Sequence, residues 1–332
     1  MMSFVLFLYC KDGVWNMLAV TTCKVQSRIQ AELVEKYPMV TFQFCESMEE
    51  AEAYLSRADL FITYGEDVTP EHIKAAPLLK WIMVLSAGMD KMPFKEIEAR
   101  KIMVTNARGI HAIPMAEYAI GMLLQTYRES KTIIEYEKAH KWGKSLRMNE
   151  LTGRTMLIVG AGAIGQELGR LAKAFRIKTI GISRSGTKKE YMDVNGRVDD
   201  LDEYLSEADI VVSILPSTKE TRYLFTESSF KKMKDDAIFL NMGRGDVVQD
   251  TVLMDALHQR QIAYAILDVF EQEPLPAAHP FWSMERVTVT PHHSGVSPQY
   301  QPRAFEIFKH NLDVFLNEEG DYQNVYDWNR GY

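Results

Sequence analysis

A chain of 332 residues, 46% hydrophobic and 25% charged, is long enough for about two domains with cores of their own and has a globular composition. Its formal net charge of −7 argues against a nucleic-acid partner, which calls for a basic face. Cys10, Cys23 and Cys45 form no CxxC pair and are odd in number, which suits free thiols in a reducing cytoplasm better than a disulfide framework.

The apolar opening "FVLFLY", residues 4–9, has no basic residues before it and reads as a buried first strand, not a secretory signal. No later run approaches the roughly 18 apolar residues of a membrane helix, so no membrane partner is expected. "VQSRIQAELVEKY" (25–37) has the spacing of an amphipathic helix, and "TFQFC" (41–45), "LFITYG" (60–65), "KWIMVLSAG" (80–88) and "KIMVTNA" (101–107) read as strands. "TPEHIKAAP" (69–77) opens a helix with a threonine cap and a proline at its first position. This alternation predicts a parallel sheet with helices on both faces.

A long helical stretch, 113–142, follows, and then a second alternation with strands at 154–160, 178–183, 208–216, 237–243, 263–269 and 286–291. The tail, 298–319, is helical again. The fold class is therefore α/β, with two doubly wound parallel-sheet domains. The two long helical segments are the expected crossings, and the tail returns to the first domain.

"VGAGAIGQ" puts Gly160, Gly162 and Gly165 in GxGxxG spacing between an apolar strand and a helix. Such a turn binds a dinucleotide: the first glycine makes the turn, the second admits the pyrophosphate, and the third lets helix and strand pack closely. The helix N-terminus then offers free N–H groups to the phosphates. An Asp or Glu ends the next strand in NAD-binding chains, where it binds a ribose hydroxyl. Here Ser183, Arg184 and Ser185 stand in its place. A guanidinium and two hydroxyls suit a 2′-phosphate dianion, which points to NADP(H) ahead of NAD(H).

Three further strand ends carry chemistry-bearing residues. "FLNMGRGD" presents Arg244 between two glycines, "LDVFEQEP" carries Asp268 and Glu273, and "VTPHHSG" presents His292 and His293. All lie where an open α/β sheet binds its ligands. Reduction of a 2-keto acid needs a proton donor at the carbonyl oxygen, a carboxylate that stabilises and orients an imidazolium, and an arginine for the substrate carboxylate. Spacing alone leaves His292 and His293 both open. His111, His140, His258 and His279 read as surface or helix histidines, and no pattern suggests a metal site.

These residues carry a resemblance to the D-isomer-specific 2-hydroxyacid dehydrogenases. It runs through "LSAGMDKM" (85–92), "VTNARG" (104–109), "PMAEYAIG" (114–121), "LTGRTMLIVGAGAIG" (151–165), "LPSTKETRYLF" (215–225), "NMGRGDVV" (241–248), "LDVFEQEPLP" (267–276) and "TPHHSG" (290–295), in the family's order. The resemblance implies a Rossmann cofactor domain, 107–293, inserted in a flavodoxin-like substrate domain, 1–106 with 294–332. It implies that His292 is the acid/base, Glu273 its partner, and Arg244 the group that holds the substrate carboxylate and carbonyl. It implies that Asp268 contacts the nicotinamide amide and that Ala87 and Gly88 offer backbone N–H groups to the substrate carboxylate. Ala163, Ile164, Pro216, Thr221 and Met242 join the cofactor contacts on the same ground. A homodimer is implied through the arm that carries Leu123, Leu124, Ile133, Ile134, Tyr136 and Trp142.

The implied activity is reduction of a small 2-keto acid such as glyoxylate or hydroxypyruvate to its D-2-hydroxy acid, in the cytoplasm. Phosphoglycerate dehydrogenases are the alternative. They place an arginine where this chain has Tyr64, and Glu66 and Asp67 follow it and would repel a phosphate. The related formate dehydrogenases place glutamine at the position of Glu273. The C-terminal-binding-protein co-repressors share the fold but keep the ribose-binding acid and carry disordered extensions.

Overall fold

The computed structural model describes residues 17–86, 88, 89 and 91–328. Its first sheet is built from β1 (Met17–Thr22), β2 (Val40–Cys45), β3 (Leu60–Thr63), β4 (Trp81–Val84) and β5 (Met103–Asn106). Every residue of β3 and β4 is buried, as expected of parallel strands covered on both faces. The order is β2-β1-β3-β4-β5 and every pairing is parallel, which is the flavodoxin-like arrangement. The helix Pro70–Ala75 starts at Thr69, whose hydroxyl accepts from His72 N–H while His72 Nδ1 accepts from Thr69 N–H, a capping box closed by a histidine.

The tail helix, Tyr300–Asn317, belongs to this unit. It buries Ala304, Phe305, Phe308 and Leu312 among Leu60, Ile62 and Trp81, with the Phe308 ring 5.5 Å from that of Trp81. Each such fully buried phenylalanine contributes about 1.5–3 kcal/mol. The strand read at residues 4–9 lies outside the described residues. β1 is not among the strands read from the sequence, because polar residues occupy buried positions in it. Thr21 is fully buried, donating to Cys45 O at 2.7 Å and accepting from Cys45 N–H at 2.9 Å. Cys23 and Cys45 are free and buried; burial pushes the Cys23 thiol up to about 12, and the Asp67 carboxylate adds to it.

The second sheet comprises β6 (Thr155–Val159), β7 (Lys178–Ser183), β8 (Val194–Arg197), β9 (Ile210–Ser213), β10 (Ile238–Asn241), β11 (Tyr264–Leu267) and β12 (Val287–Val289). Its order, β12-β11-β10-β9-β6-β7-β8, is the Rossmann order extended by one strand, with the reversal between β6 and β9. The edge strand β8, "VNGR", carries no apolar alternation and is held by pairing with β7.

The expected continuous helix over 113–142 is two helices, Ala112–Tyr127 and Ser130–Lys138. Glu129 takes a left-handed conformation (φ 54°) between them and accepts from the Thr132 hydroxyl. The first of these helices lays Met115, Ala116, Ala119 and Leu123 against Leu168 and Ala172 of the helix Ala163–Ala174.

The described chain divides into two units: one runs to Ile110 and resumes at Pro298, and the other spans His111–Ser297. Both divisions fall a few residues later than the boundaries read from the sequence; at the first of them, Ala107 and Ile110 are buried in the core of the first unit. Among the described residues no helix is long and apolar enough to cross a membrane.

Candidate active site

The glycine-rich turn leaves β6 at the reversal of strand order. Gly160 has φ 107°, and a Cβ there would lie 2.7 Å from the carbonyl oxygen of Ile214. A Cβ on Gly165 would lie 2.7 Å from Gly160 O and 3.1 Å from Ile158 Cγ2, so that glycine is what lets the helix approach its strand. Gly162 caps the helix Ala163–Ala174, and a Cβ there would meet no atom within 4 Å. The position is therefore open toward the space a ligand would occupy. The Gln166 N–H bonds to Gly162 O at 2.9 Å; the amides of Ala163, Ile164 and Gly165 lie in the turn before it, where a helix has no partners of its own to offer. The cradle fits a pyrophosphate.

β7 ends at Ser183, which is half-buried, while Arg184 and Ser185 are exposed. The Ser183 hydroxyl accepts from Gly186 N–H at 3.2 Å, and Ser185 and Thr187 share a hydroxyl bond of 2.8 Å. The loop after β9 comes close to this turn. Glu220 in that loop is held below the usual carboxylate range by its own backbone N–H and the Thr218 hydroxyl, with the charges of Arg184 and Lys219 adding. The same loop is folded on itself by Thr221, which donates to Pro216 O at 2.6 Å and accepts from Thr218 N–H at 2.9 Å.

The loop after β10 threads a narrow gap. A Cβ on Gly243 would lie 2.5 Å from Leu215 O, and one on Gly245 would lie 1.8 Å from the carbonyl carbon of Phe270. The two glycines that flank Arg244 are thus required by packing, and they hold the arginine between the loops that follow β9 and β11. Met242 is buried, and its N–H bonds to Ser213 O at 3.1 Å. Asn241 is buried and donates to Arg244 O at 2.9 Å while its side-chain oxygen accepts from Gly243 N–H at 3.3 Å. The Arg244 guanidinium, half-buried, donates to Gly243 O at 2.9 Å.

Spacing left two histidines open; the geometry separates them. His292 Nδ1 lies 2.8 Å from Glu273 Oε2, and the other Glu273 oxygen accepts from Phe270 N–H at 3.1 Å. With Nδ1 engaged by the carboxylate, Nε2 is the ring atom available for proton transfer. His293 contributes its backbone N–H to Asp268 Oδ1 at 2.8 Å. His292 takes a left-handed conformation (φ 54°), a strained choice for a residue with a Cβ. Its own N–H anchors it to Asp268 O at 2.9 Å.

Asp268 is fully buried. Its carboxylate accepts from the Thr290 hydroxyl at 2.5 Å, His293 N–H at 2.8 Å and Ser294 N–H at 2.9 Å. Thr290 in turn shares a 2.7 Å bond with the Tyr118 hydroxyl. Burial pushes that hydroxyl well above its ordinary range, and the charge of Asp268 adds to the effect, so it stays a donor. A buried carboxylate with three donors is the anchor for the whole 290–294 segment.

Of the substrate contacts, Ala87 lies outside the described residues. Gly88 is exposed at the carboxyl side of β4, and its carbonyl accepts from the Ser86 hydroxyl at 2.5 Å. Tyr64 directly follows β3, with its ring 5.9 Å from that of Tyr300 and its hydroxyl accepting from Gln301 Nε2 at 3.1 Å. Asn241, Thr290 and Tyr118 were not singled out in the sequence. The signal was available for two of them: β9, β10, β11 and β12 are apolar runs that end in, or are followed by, a polar residue (Ser213, Asn241, Asp268 and Thr290).

A dinucleotide cradle at the reversal of a Rossmann sheet, with an Arg, a Glu and a His on loops at the same edge, defines a nicotinamide-dependent oxidoreductase. The family profile of the D-isomer specific 2-hydroxyacid dehydrogenase, NAD binding domain, matches residues 120–294. The chain is 34% identical over 252 residues to a glyoxylate/hydroxypyruvate reductase B of Escherichia coli, covering 74% of this chain and 78% of that one. A D-isomer specific 2-hydroxyacid dehydrogenase family protein from Aeromonas salmonicida superposes with a TM-score of 0.84 at 31% identity, over 94% of this chain and 99% of that one. An NADPH-dependent glyoxylate/hydroxypyruvate reductase from Sinorhizobium meliloti, solved with NADP and sulfate, gives 0.77 at 25% identity, over 95% and 100%. The chain belongs to the D-isomer-specific 2-hydroxyacid dehydrogenases. It is an enzyme that acts on CH–OH donors with a nicotinamide dinucleotide.

Proposed function

We propose that this enzyme reduces a small 2-keto acid without a phosphate, of the glyoxylate or hydroxypyruvate class, to its D-2-hydroxy acid, and that it uses NADPH ahead of NADH. The observation that carries the reading is the 2.8 Å contact between His292 Nδ1 and Glu273 Oε2, on the strand-end edge that also bears Arg244.

When bound, the dinucleotide supplies the hydride for the carbonyl carbon. Gly160, Gly162, Ala163, Ile164 and Gly165 would hold its pyrophosphate, and Ser183, Arg184 and Ser185 its 2′-phosphate. Pro216, Thr221 and Met242 are assigned to its walls, and Asp268 to its nicotinamide end. Arg244 binds the substrate carboxylate through two parallel hydrogen bonds. His292, oriented through Nδ1 by Glu273, gives the Nε2 proton to the carbonyl oxygen as negative charge develops there. Glu273 balances the charge of the imidazolium. Asp268 acts through the loop, fixing the backbone on which His292 sits.

A phosphorylated substrate is the weaker reading. β3 is followed by Tyr64, where phosphoglycerate dehydrogenases place an arginine, and Glu66 and Asp67 add negative charge; Glu66 pairs with Lys91 at 3.3 Å, and Asp67 accepts from the Thr63 hydroxyl. With a prochiral substrate such as pyruvate, chiral chromatography of the product is expected to show the D-hydroxy acid alone. A racemic or L product would remove the enzyme from this reading.

The assembly we propose is a two-fold homodimer. Leu123 is fully buried in the unit's own core, but Ile133 and Ile134 are 41% and 45% exposed and Trp142 is 89% exposed. That much apolar surface on one arm needs a cover. Sedimentation at micromolar concentration is expected to give a dimer, and Trp142→Glu a shift toward monomer; a wild-type monomer would contradict the assignment.

A further inference from the structure

β8 pairs in parallel with β7 so that Arg197 stands directly opposite Ser183. Directly opposed residues share a face of the sheet. Both are the last residues of their strands, at the edge where this sheet binds ligands. The stem of Arg197 lies against the turn that follows β7. A Cβ on Gly186 (φ 66°) would be 2.6 Å from Arg197 Cγ and 3.6 Å from Cδ, so this glycine is what lets the arginine cross the Ser183–Gly186 turn. The Arg197 side chain is 59% exposed, and its guanidinium has a loose contact of 3.6 Å with Asp199, itself 81% exposed. An exposed pair of that length contributes little and gives way readily to a stronger anion.

We propose that Arg197 is a second cationic arm of the adenosine 2′-phosphate site, acting with Arg184 from the neighbouring strand. The proposal rests on the NADP(H) reading above. A phosphate dianion has oxygens enough for two guanidinium groups, and the two arginines here come from adjacent strand ends around the same Ser183–Gly186 turn. Each has an exposed carboxylate near it: Asp199 beside Arg197, and Glu220, which feels the charge of Arg184.

The test is calorimetric binding of 2′,5′-ADP and 5′-AMP to the full-length wild type and to Arg184→Ala, Arg197→Ala and Arg197→Lys. The wild type is expected to prefer 2′,5′-ADP. Arg197→Ala is expected to cut that preference about tenfold, the low end for a charge-assisted bond at an exposed site, with 5′-AMP binding little changed. Arg197→Lys should recover part of it. If Arg197→Ala weakens both ligands alike, the residue is structural and the proposal falls. If Arg184→Ala lowers the preference and Arg197→Ala does not, the proposal falls and the NADP(H) reading stands. If the wild type shows no preference, the NADP(H) reading fails and the role of Arg197 goes with it.

Discussion

In His292→Ala, kcat/KM for reduction of a 2-keto acid is expected to fall by about 10²–10⁴-fold, the usual contribution of a positioned general acid. Binding of NADPH should be nearly intact, because His292 lies on the loop after β12 and the phosphate cradle lies on the turn after β6. The loss should hold at every pH, since alanine has no proton to give. His293→Ala supplies the control. What His293 gives to the site is a backbone N–H bonded to Asp268, and alanine keeps that bond. Most activity is therefore expected to survive. Equal losses in the two variants would mean that the loop as a whole is damaged and that neither ring has been assigned its chemistry.

The second large effect belongs to Arg244. Arg244→Lys retains a positive charge but replaces a planar fork with a point charge on a flexible stem. Losing one or both charge-assisted bonds, at roughly 1.5–3 kcal/mol each, places the expected fall in kcat/KM at about 10–10⁴-fold, with Arg244→Ala at the far end. Part of the fall should appear in the KM for the keto acid, because the carboxylate is bound in the ground state as well. The KM for NADPH should stay near that of the wild type. Stability should fall only slightly: the loop is shaped by Gly243, Gly245 and the Asn241 side chain, and the substitution removes one half-buried bond, from the guanidinium to Gly243 O. An Arg244→Lys enzyme with wild-type kinetics would show that the arginine faces away from the substrate.

Much of the architecture was readable because the strands of both sheets are short apolar runs separated by helical patterns. The exceptions have physical causes. β1 buries Thr21 and Thr22, so hydroxyls interrupt the apolar run that would otherwise mark it as a strand. β8 is an edge strand whose residues, Val-Asn-Gly-Arg, are held by register with β7 and not by their own burial. Propensity carries no information about such a strand, and Arg197 was overlooked with it. The break at Glu129 was hidden because the residues on both sides, Thr126–Tyr127 and Ser130–Lys131, continue a pattern compatible with a helix. Nothing local in sequence announces a left-handed residue that is neither glycine nor asparagine.

At the site, residue types and order pointed to Arg244, Glu273 and His292, but their roles came from resemblance, and spacing could not separate His292 from His293. The His292 ring lies 2.8 Å from Glu273, a contact that depends on how the loops after β11 and β12 lie against each other, which is a tertiary fact. Asp268 teaches a similar lesson. Its place at a strand end is legible in sequence, but the bonds its carboxylate accepts from Thr290, His293 and Ser294 are not. The buried carboxylate is part of what holds the loop that carries His292.

The enzyme is expected to be a reductase of small, unphosphorylated 2-keto acids. The most direct measurement is kcat/KM for glyoxylate, hydroxypyruvate, pyruvate and 3-phosphohydroxypyruvate with one enzyme preparation at saturating NADPH, following oxidation of the cofactor. Glyoxylate or hydroxypyruvate is expected to lead, with the phosphorylated acid at least tenfold behind, about the 1.4 kcal/mol that one unfavourable charge interaction near a surface readily supplies. Preference for 3-phosphohydroxypyruvate, or no turnover with any of the four, would contradict it.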